Sequence, residues 1–201
     1  MSIKKGAAGA ILKQILCHRA TMQNPSFRAA EVRDAAAISH VQVQSWLTTY
    51  KGLVPEAYLA SLNEAERVPA WERWLASDIS ALVAEIDGEM IGFAAGGAIR
   101  EPLGDYDSEL YTIYLLERVQ GRGIGKALLT SVAEALVRKG HRSLMVWVLE
   151  QNPAVSFYAR VGAQYLMSKQ VEIGGVRLPE VALGWPDAGS LIGSTRGTSS
   201  D

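Results

Sequence analysis

Residues 109–128, ELYTIYLLERVQGRGIGKAL, carry the densest chemistry in the chain. At their centre Gln120, Gly121, Arg122, Gly123, Ile124, Gly125 and Lys126 combine three glycines with two cations. Residues 109–115, just ahead, are rich in β-branched and aromatic side chains, as a buried strand should be. Behind the turn, Ile124, Ala127, Leu128, Val132, Ala135 and Leu136 recur at helical spacing, and Gly140 stands where a left-handed stop belongs. A glycine-rich turn that opens a helix exposes backbone N–H groups that nothing in the helix can satisfy. Those groups and the helix dipole favour an anion. Glycine removes the Cβ that would hold a phosphate away, and Arg122 and Lys126 add positive charge. The chemistry expected is capture of a phosphate or pyrophosphate; a glycine loop with no ligand is the alternative.

Two familiar phosphate patterns do not fit. The Walker pattern needs Gly, four residues, then Gly-Lys-Ser/Thr, but Ala127 follows Lys126 and Gln120 occupies the first position, so no hydroxyl awaits Mg²⁺. The dinucleotide pattern fails because Lys126 stands where its third Gly or Ala belongs. What remains, Gln-x-x-Gly-x-Gly, resembles the turn with which the GNAT superfamily of acyl-CoA-dependent N-acetyltransferases reads the CoA pyrophosphate. The resemblance spans residues 26–186 and implies a mixed, mainly antiparallel sheet of about seven strands flanked by helices, an α+β fold. It also implies acetyl-CoA as cosubstrate. Adenine and pyrophosphate would rest on residues 120–126, and the pantetheine arm would pair with the backbone of Ile113, Tyr114 and Leu115. The strand ending near Leu115 and the strand over 143–149 would splay to admit the thioester, with an N–H near Ile113 or Tyr114 facing the developing oxyanion.

Acyl transfer to an amine also needs an acid for the leaving thiolate and a group to take the amine proton. Asn152, Ala154 and Tyr158 are similar to a second GNAT signature, N-x-x-A-x-x-x-Y, with shifted spacing. On that match Tyr158 is the candidate acid and Asn152 a helix cap and CoA contact. Capping alone also explains Asn152, and Val155, Phe157, Tyr158 and Val161 could simply be the buried side of a short helix. Glu109 is the candidate base, acting through water, because family members often place a carboxylate there. Alternation puts it on one face with Tyr111 and Ile113; an exposed strand-end Glu is the alternative. In some ribosomal-protein acetyltransferases a Glu lies on the next strand, where this chain has Trp147, which makes a protein amino terminus less attractive as acceptor.

The elements around these residues follow from pattern and punctuation. Residues 26–32 read as a first strand, and Asp34 as N-cap of a helix over 35–50 that buries Ile38, Val41, Val43 and, in part, Trp46. Pro55 opens a short helix through 62, and Asn63 with Glu66 opens a third through 75. Residues 79–86 and 90–97 form a hairpin across Asp87-Gly88, followed by a polar loop over 100–107. After the central strand, turn and helix come a buried strand over 143–149 and a short helix from Asn152-Pro153 to Arg160. A hairpin over 164–173 and 176–183 follows, with Pro179 placing its last strand at a sheet edge. The first three helices should wall the acceptor groove, with Trp46 and Tyr50 as candidate substrate contacts. The acidic loop Glu101, Asp105, Asp107 and Glu109 would favour a cationic amine if it borders that groove.

At 201 residues, 48% hydrophobic and 20% charged, the chain suits one domain with a full core. Residues 1–25 read as an amphipathic extension and 187–201 as a disordered tail. The net charge of −1 argues against general nucleic-acid binding. One cysteine and three scattered histidines make a disulfide or a metal site unexpected. A reducing cytoplasmic setting fits the single cysteine, no apolar run has transmembrane length, and a monomer or homodimer is expected. The leading expectation is acetyl transfer from acetyl-CoA to a primary amine of a small molecule. A protein or peptide amine, or a non-catalytic acyl-CoA-binding module, are the alternatives.

Overall fold

Asp87 and Gly88 both have positive φ, 55° and 79°, the conformation a two-residue turn needs to match strand twist. They join β2 (Ser80–Ile86) to β3 (Glu89–Leu103) as the Asp-Gly pair predicts. The computed structural model describes residues 24–193. Of the extension expected over 1–25, residues 1–23 lie outside the described residues, as do 194–201 of the expected tail.

β1 (Ser26–Ala29) is followed by α1 (Ala35–Thr49), α2 (Glu56–Ala60) and α3 (Glu64–Leu75). After β2 and β3 come β4 (Tyr106–Leu115), α4 (Ile124–Arg138), β5 (Leu144–Leu149), α5 (Ala154–Arg160), β6 (Gln164–Ile173), β7 (Val176–Trp185) and a final turn of helix, α6 (Ser190–Gly193). The seven strands form one sheet in the order β1-β2-β3-β4-β5-β7-β6. Every neighbouring pair is antiparallel except β4 with β5. The fold is therefore the expected α+β arrangement, with a mixed sheet flanked by helices. α1 packs on β3 and β4 from one side, and α4 packs on β2, β3 and β4 from the other. Leu128, Leu129, Val132 and Leu136 of α4 are fully buried, as are Ile38 and Val41 of α1. A smaller cluster of Val54, Leu59 and Leu149 joins the α1–α2 region to β6 and β7, with Val171, Ile173 and Leu178 packed against it.

Four readings change. The polar stretch over 100–107 is no loop: β3 runs on to Leu103, and β4 starts at Tyr106, turning at Gly104. Asp34 does not cap α1 with its side chain; its carboxylate accepts from the Glu31 N–H and pairs with Arg28. β7 is internal, between β5 and β6. Pro179 is tolerated because its carbonyl meets Glu150 N–H just past the last β5 residue. The missing donor points the same way, where the ladder has ended. Finally, residues 187–193 belong to the fold: Ala188 and Leu191 are buried, and Thr130 of α4 donates to the Leu191 carbonyl. Trp185 is buried too, its indole N–H held by the Val161 carbonyl.

Candidate active site

The turn between β4 and α4 is built as its residue types require. Gly121 and Gly123 have φ of 72° and 82°, which side chains with a Cβ rarely adopt. A Cβ at either would meet no protein atom within 4 Å, so the space over the turn is open. The first backbone bond of α4 is Ala127 N–H to the Gly123 carbonyl. Among the described residues the N–H groups over 121–126 therefore have no backbone acceptor. No acidic side chain stands in the first turn. Arg122 and Lys126 are exposed there without an ion-pair partner among the described residues, against the sense of the helix dipole. Such a helix end is stabilised by a bound anion. Gln120 differs from its neighbours. Its N–H is taken by the Glu117 carbonyl, and its side-chain amide donates to the Leu115 carbonyl at 3.1 Å.

β4 and β5 pair through only two positions, Glu109 with Met145 and Leu110 with Val146. Beyond them the strands part. A bulge explains the departure: Ala95 of β3 faces Thr112 and Gly96 faces Leu110, so Tyr111 is the extra residue. A bulge bends its strand and increases its twist. The gap leaves the β5-side edge of β4 without a strand partner from Tyr111 onward. Leu115 departs from expectation, because Ser45 Oγ and Gln120 Nε2 both donate to its carbonyl at 3.1 Å. That oxygen is filled from within the protein.

The bulge also overturns the alternation argument. Tyr111 packs on Trp74 of α3, and Tyr114 accepts a hydrogen bond from Trp46 of α1 at 2.8 Å. Residues three apart thus face the same helical layer. Glu109 and Tyr111 share a side, since both contact Arg100, but Ile113 does not share it. Nor is Glu109 an exposed strand-end residue: it is 2% exposed. Arg100 clamps its carboxylate with Nη2, Nε and the backbone N–H.

Five of the expected site residues do gather at the gap. Trp46 and Tyr50 stack at 4.3 Å between ring centroids. The Tyr50 phenol lies beside Tyr114, Tyr158 and the Asn152 side chain. Asn152 Oδ1 accepts at 2.9 Å from the N–H of Ala154, the first residue of α5. Tyr158 lies on α5, its ring against Phe157 and edge-on to Trp185. Core packing and a place at the gap are both true of it. Burial raises the phenols of Tyr50, Tyr114 and Tyr158 above their ordinary value. Burial therefore keeps these phenols protonated at neutral pH, the form a proton donor must have. Glu180 escaped the sequence reading, since nothing local distinguishes a Glu next to Pro179. The register places it opposite Leu149 on the face turned to α1 and α2. Among the described residues no three metal-ligating side chains gather, and no helix is long and apolar enough to cross a membrane.

Residues 42–163 match the model of the acetyltransferase (GNAT) family. This chain belongs to that family. It is 43% identical over 166 residues to the uncharacterized N-acetyltransferase YuaI of Bacillus subtilis, covering 82% of this chain and 94% of that one. Among solved structures, the fold is similar to a GCN5-related N-acetyltransferase from Rhodopseudomonas palustris. There the TM-score is 0.65 at 22% identity, over 82% of this chain and 96% of the other. It is also similar to the PaiA N-acetyltransferase of Thermoplasma acidophilum in complex with coenzyme A. That match has a TM-score of 0.61 at 25% identity, over 79% and 98% of the two chains. A third is YncA of Salmonella typhimurium with its cofactor acetyl-CoA, with a TM-score of 0.64 at 22% identity, over 89% and 99%. The GNAT protein described here is an acyl-CoA-dependent N-acetyltransferase.

Proposed function

We propose that this acetyltransferase moves an acetyl group from acetyl-CoA to the primary amine of a small molecule, by direct attack in a ternary complex. The donor follows from the enzyme class and from the two similar structures solved with coenzyme A or acetyl-CoA. The free amides and cations over 121–126 hold its pyrophosphate. The unpaired edge of β4 at Ile113 and Tyr114 takes the pantetheine arm, and the thioester reaches the gap beside Tyr158. Asn152 works through its bond to α5 and its place beside Tyr50, which set the wall of that gap. The amine lone pair attacks the thioester carbonyl and the C–N bond forms. When the C–S bond breaks, Tyr158 gives its proton to the leaving thiolate and regains one from the nitrogen of the new amide.

One observation carries the choice of a small acceptor. The α1–α2 segment and the tip of the β6–β7 hairpin meet. A Cβ at Gly174 would lie 2.8 Å from Tyr58 Cβ and 3.4 Å from a Pro55 ring carbon. This contact bridges the acceptor side of the sheet, where an extended peptide would need an open groove. Trp46 and Tyr50 lie under the bridge, packed against the same small cluster, as contacts for a compact acceptor. The test is CoA release by the purified protein over a panel of aliphatic amines, amino acids and peptides. Turnover of small amines above that of peptides supports the reading. Preference for peptides, or acetyl-CoA binding with no turnover on any amine, overturns it.

A further inference from the structure

On the sheet face turned toward α1, α2 and α3, five charged side chains lie together past the bridged wall. Arg100 of β3 clamps Glu109 of β4. Lys169 of β6 reaches Glu101 of β3 at 3.0 Å, its ammonium 4.0 Å above the Trp147 ring of β5. The fifth is Glu180 of β7. Directly paired residues on antiparallel strands point to one face. Glu180 is paired with Leu149 on one side and Lys169 on the other. Leu149 packs with Val54 and Leu59, so this face looks into the acceptor side. Trp147 follows Val146, the last β5 residue paired with β4, so the group borders the mouth of the gap.

The charges do not balance. Two cations face three carboxylates, and each cation has its own partner in Glu109 or Glu101. Glu180 is partly buried and has no ion pair within 4 Å and no side-chain hydrogen bond among the described residues. A half-buried carboxylate without a partner is costly unless something cationic arrives. The acceptor reading supplies such a cation, because an alkyl amine enters largely as its ammonium near pH 7.

We propose that Glu180, and not Glu109, is the carboxylate that receives the acceptor ammonium and takes its proton. The inference rests on the acceptor being an amine of the kind proposed above. In the step, one N–H bond of the ammonium breaks and its proton passes to a Glu180 carboxylate oxygen. The freed lone pair then attacks the thioester carbonyl, and Glu180 returns the proton to solvent after product leaves. Glu109 is less suited because three N–H donors of Arg100 already hold its carboxylate and it is 2% exposed. Burial supports the role of Glu180, since it holds that carboxyl above its ordinary range. Lys169 and Arg100 act on it in the opposite sense, and Glu109 and Glu101 in the same sense.

The experiment compares the full chain with Glu180→Gln and Glu180→Asp, reading kcat/KM against pH for an aliphatic primary amine. Acetyl-CoA affinity and thermal unfolding are measured alongside. Glu180→Gln should lose about 100-fold in kcat/KM at pH 7. Its profile should climb with unit slope up to the amine's own pKa, because only free amine then reacts. The wild type should instead show a plateau above an acid limb. Acetyl-CoA affinity should stay within about twofold, and Glu180→Asp should keep a shifted acid limb, a rescue that a packing role would not produce. A Glu180→Gln profile that overlays the wild type overturns the inference. Should that variant not fold, an unmoved limb in Glu180→Asp overturns it equally. No turnover of any amine by the wild type removes the acceptor reading and the inference with it, a result distinct from two active proteins with matching profiles.

Discussion

Tyr158→Phe removes one oxygen and keeps the ring that packs on Phe157 and Trp185. The variant should fold and bind acetyl-CoA within about twofold of wild type. Its kcat should fall about 100-fold, because the leaving thiolate loses its acid. Steady-state kinetics with calorimetry of acetyl-CoA binding separates the two effects; an unchanged kcat removes the hydroxyl from the mechanism. Gly123→Val acts on the other end of the ligand. The backbone there, at φ 82°, disfavours any side chain by roughly 1–2 kcal/mol, and a branched group would occupy the open space over the amides. Acetyl-CoA affinity should weaken by at least about tenfold while the melting temperature falls by only a few degrees. Wild-type affinity would place the pyrophosphate elsewhere. The residue types in the turn, and the phenol, were readable without coordinates. The burial of Glu109 and its clamp by Arg100 gave no sign in the sequence, because Arg100 lies across a strand pair, where local spacing carries no signal.

At the scale of elements, the entry to α1 hangs on an ion-pair cluster. Arg28 of β1 meets Asp34 at 2.7 and 2.9 Å and Glu85 of β2 at 2.6 Å. Asp34 is 7% exposed. The hydrogen bond from Arg28 holds its carboxyl below the usual range. The unfolded chain therefore takes up that proton first as pH drops. The contribution is complete above the ordinary pKa of 3.8 and is lost as pH falls through the lower folded value. Asp34→Asn should lower the unfolding free energy at pH 7 by about 1–3 kcal/mol. The gap from wild type should narrow below about pH 4. Urea unfolding at pH 7 and pH 3 measures it, and a constant gap would refute the linkage. Capping propensity alone pointed Asp34 at the helix; a guanidinium from a neighbouring strand outcompeted it. The β3–β4 extension was missed for a related reason. Charges in 100–107 look like a loop until cross-strand partners are known.

At the scale of the molecule, the acceptor side is bridged by one close approach. Gly174 has φ 60°, and its Cα lies where a side chain would collide with Tyr58. Gly174→Val should push the β6–β7 tip from α2. KM for the amine should rise several-fold, acetyl-CoA affinity should hold, and peptide amines should become better acceptors. Competition kinetics between an amine and a peptide reads the change; an unaltered preference would show that the bridge does not select. The chain by itself determined the element order through β7, the glycine turn that opens α4 and the enzyme class, because hydrophobic period, glycine chemistry and helix-end polarity are local. Only the tertiary structure decided where β4 leaves β5, that β7 is internal, that Glu109 is clamped and that Glu180 stands unpaired. Each of those depends on which distant backbone or charge comes alongside, and strand register sets that, not the order of residues within a strand.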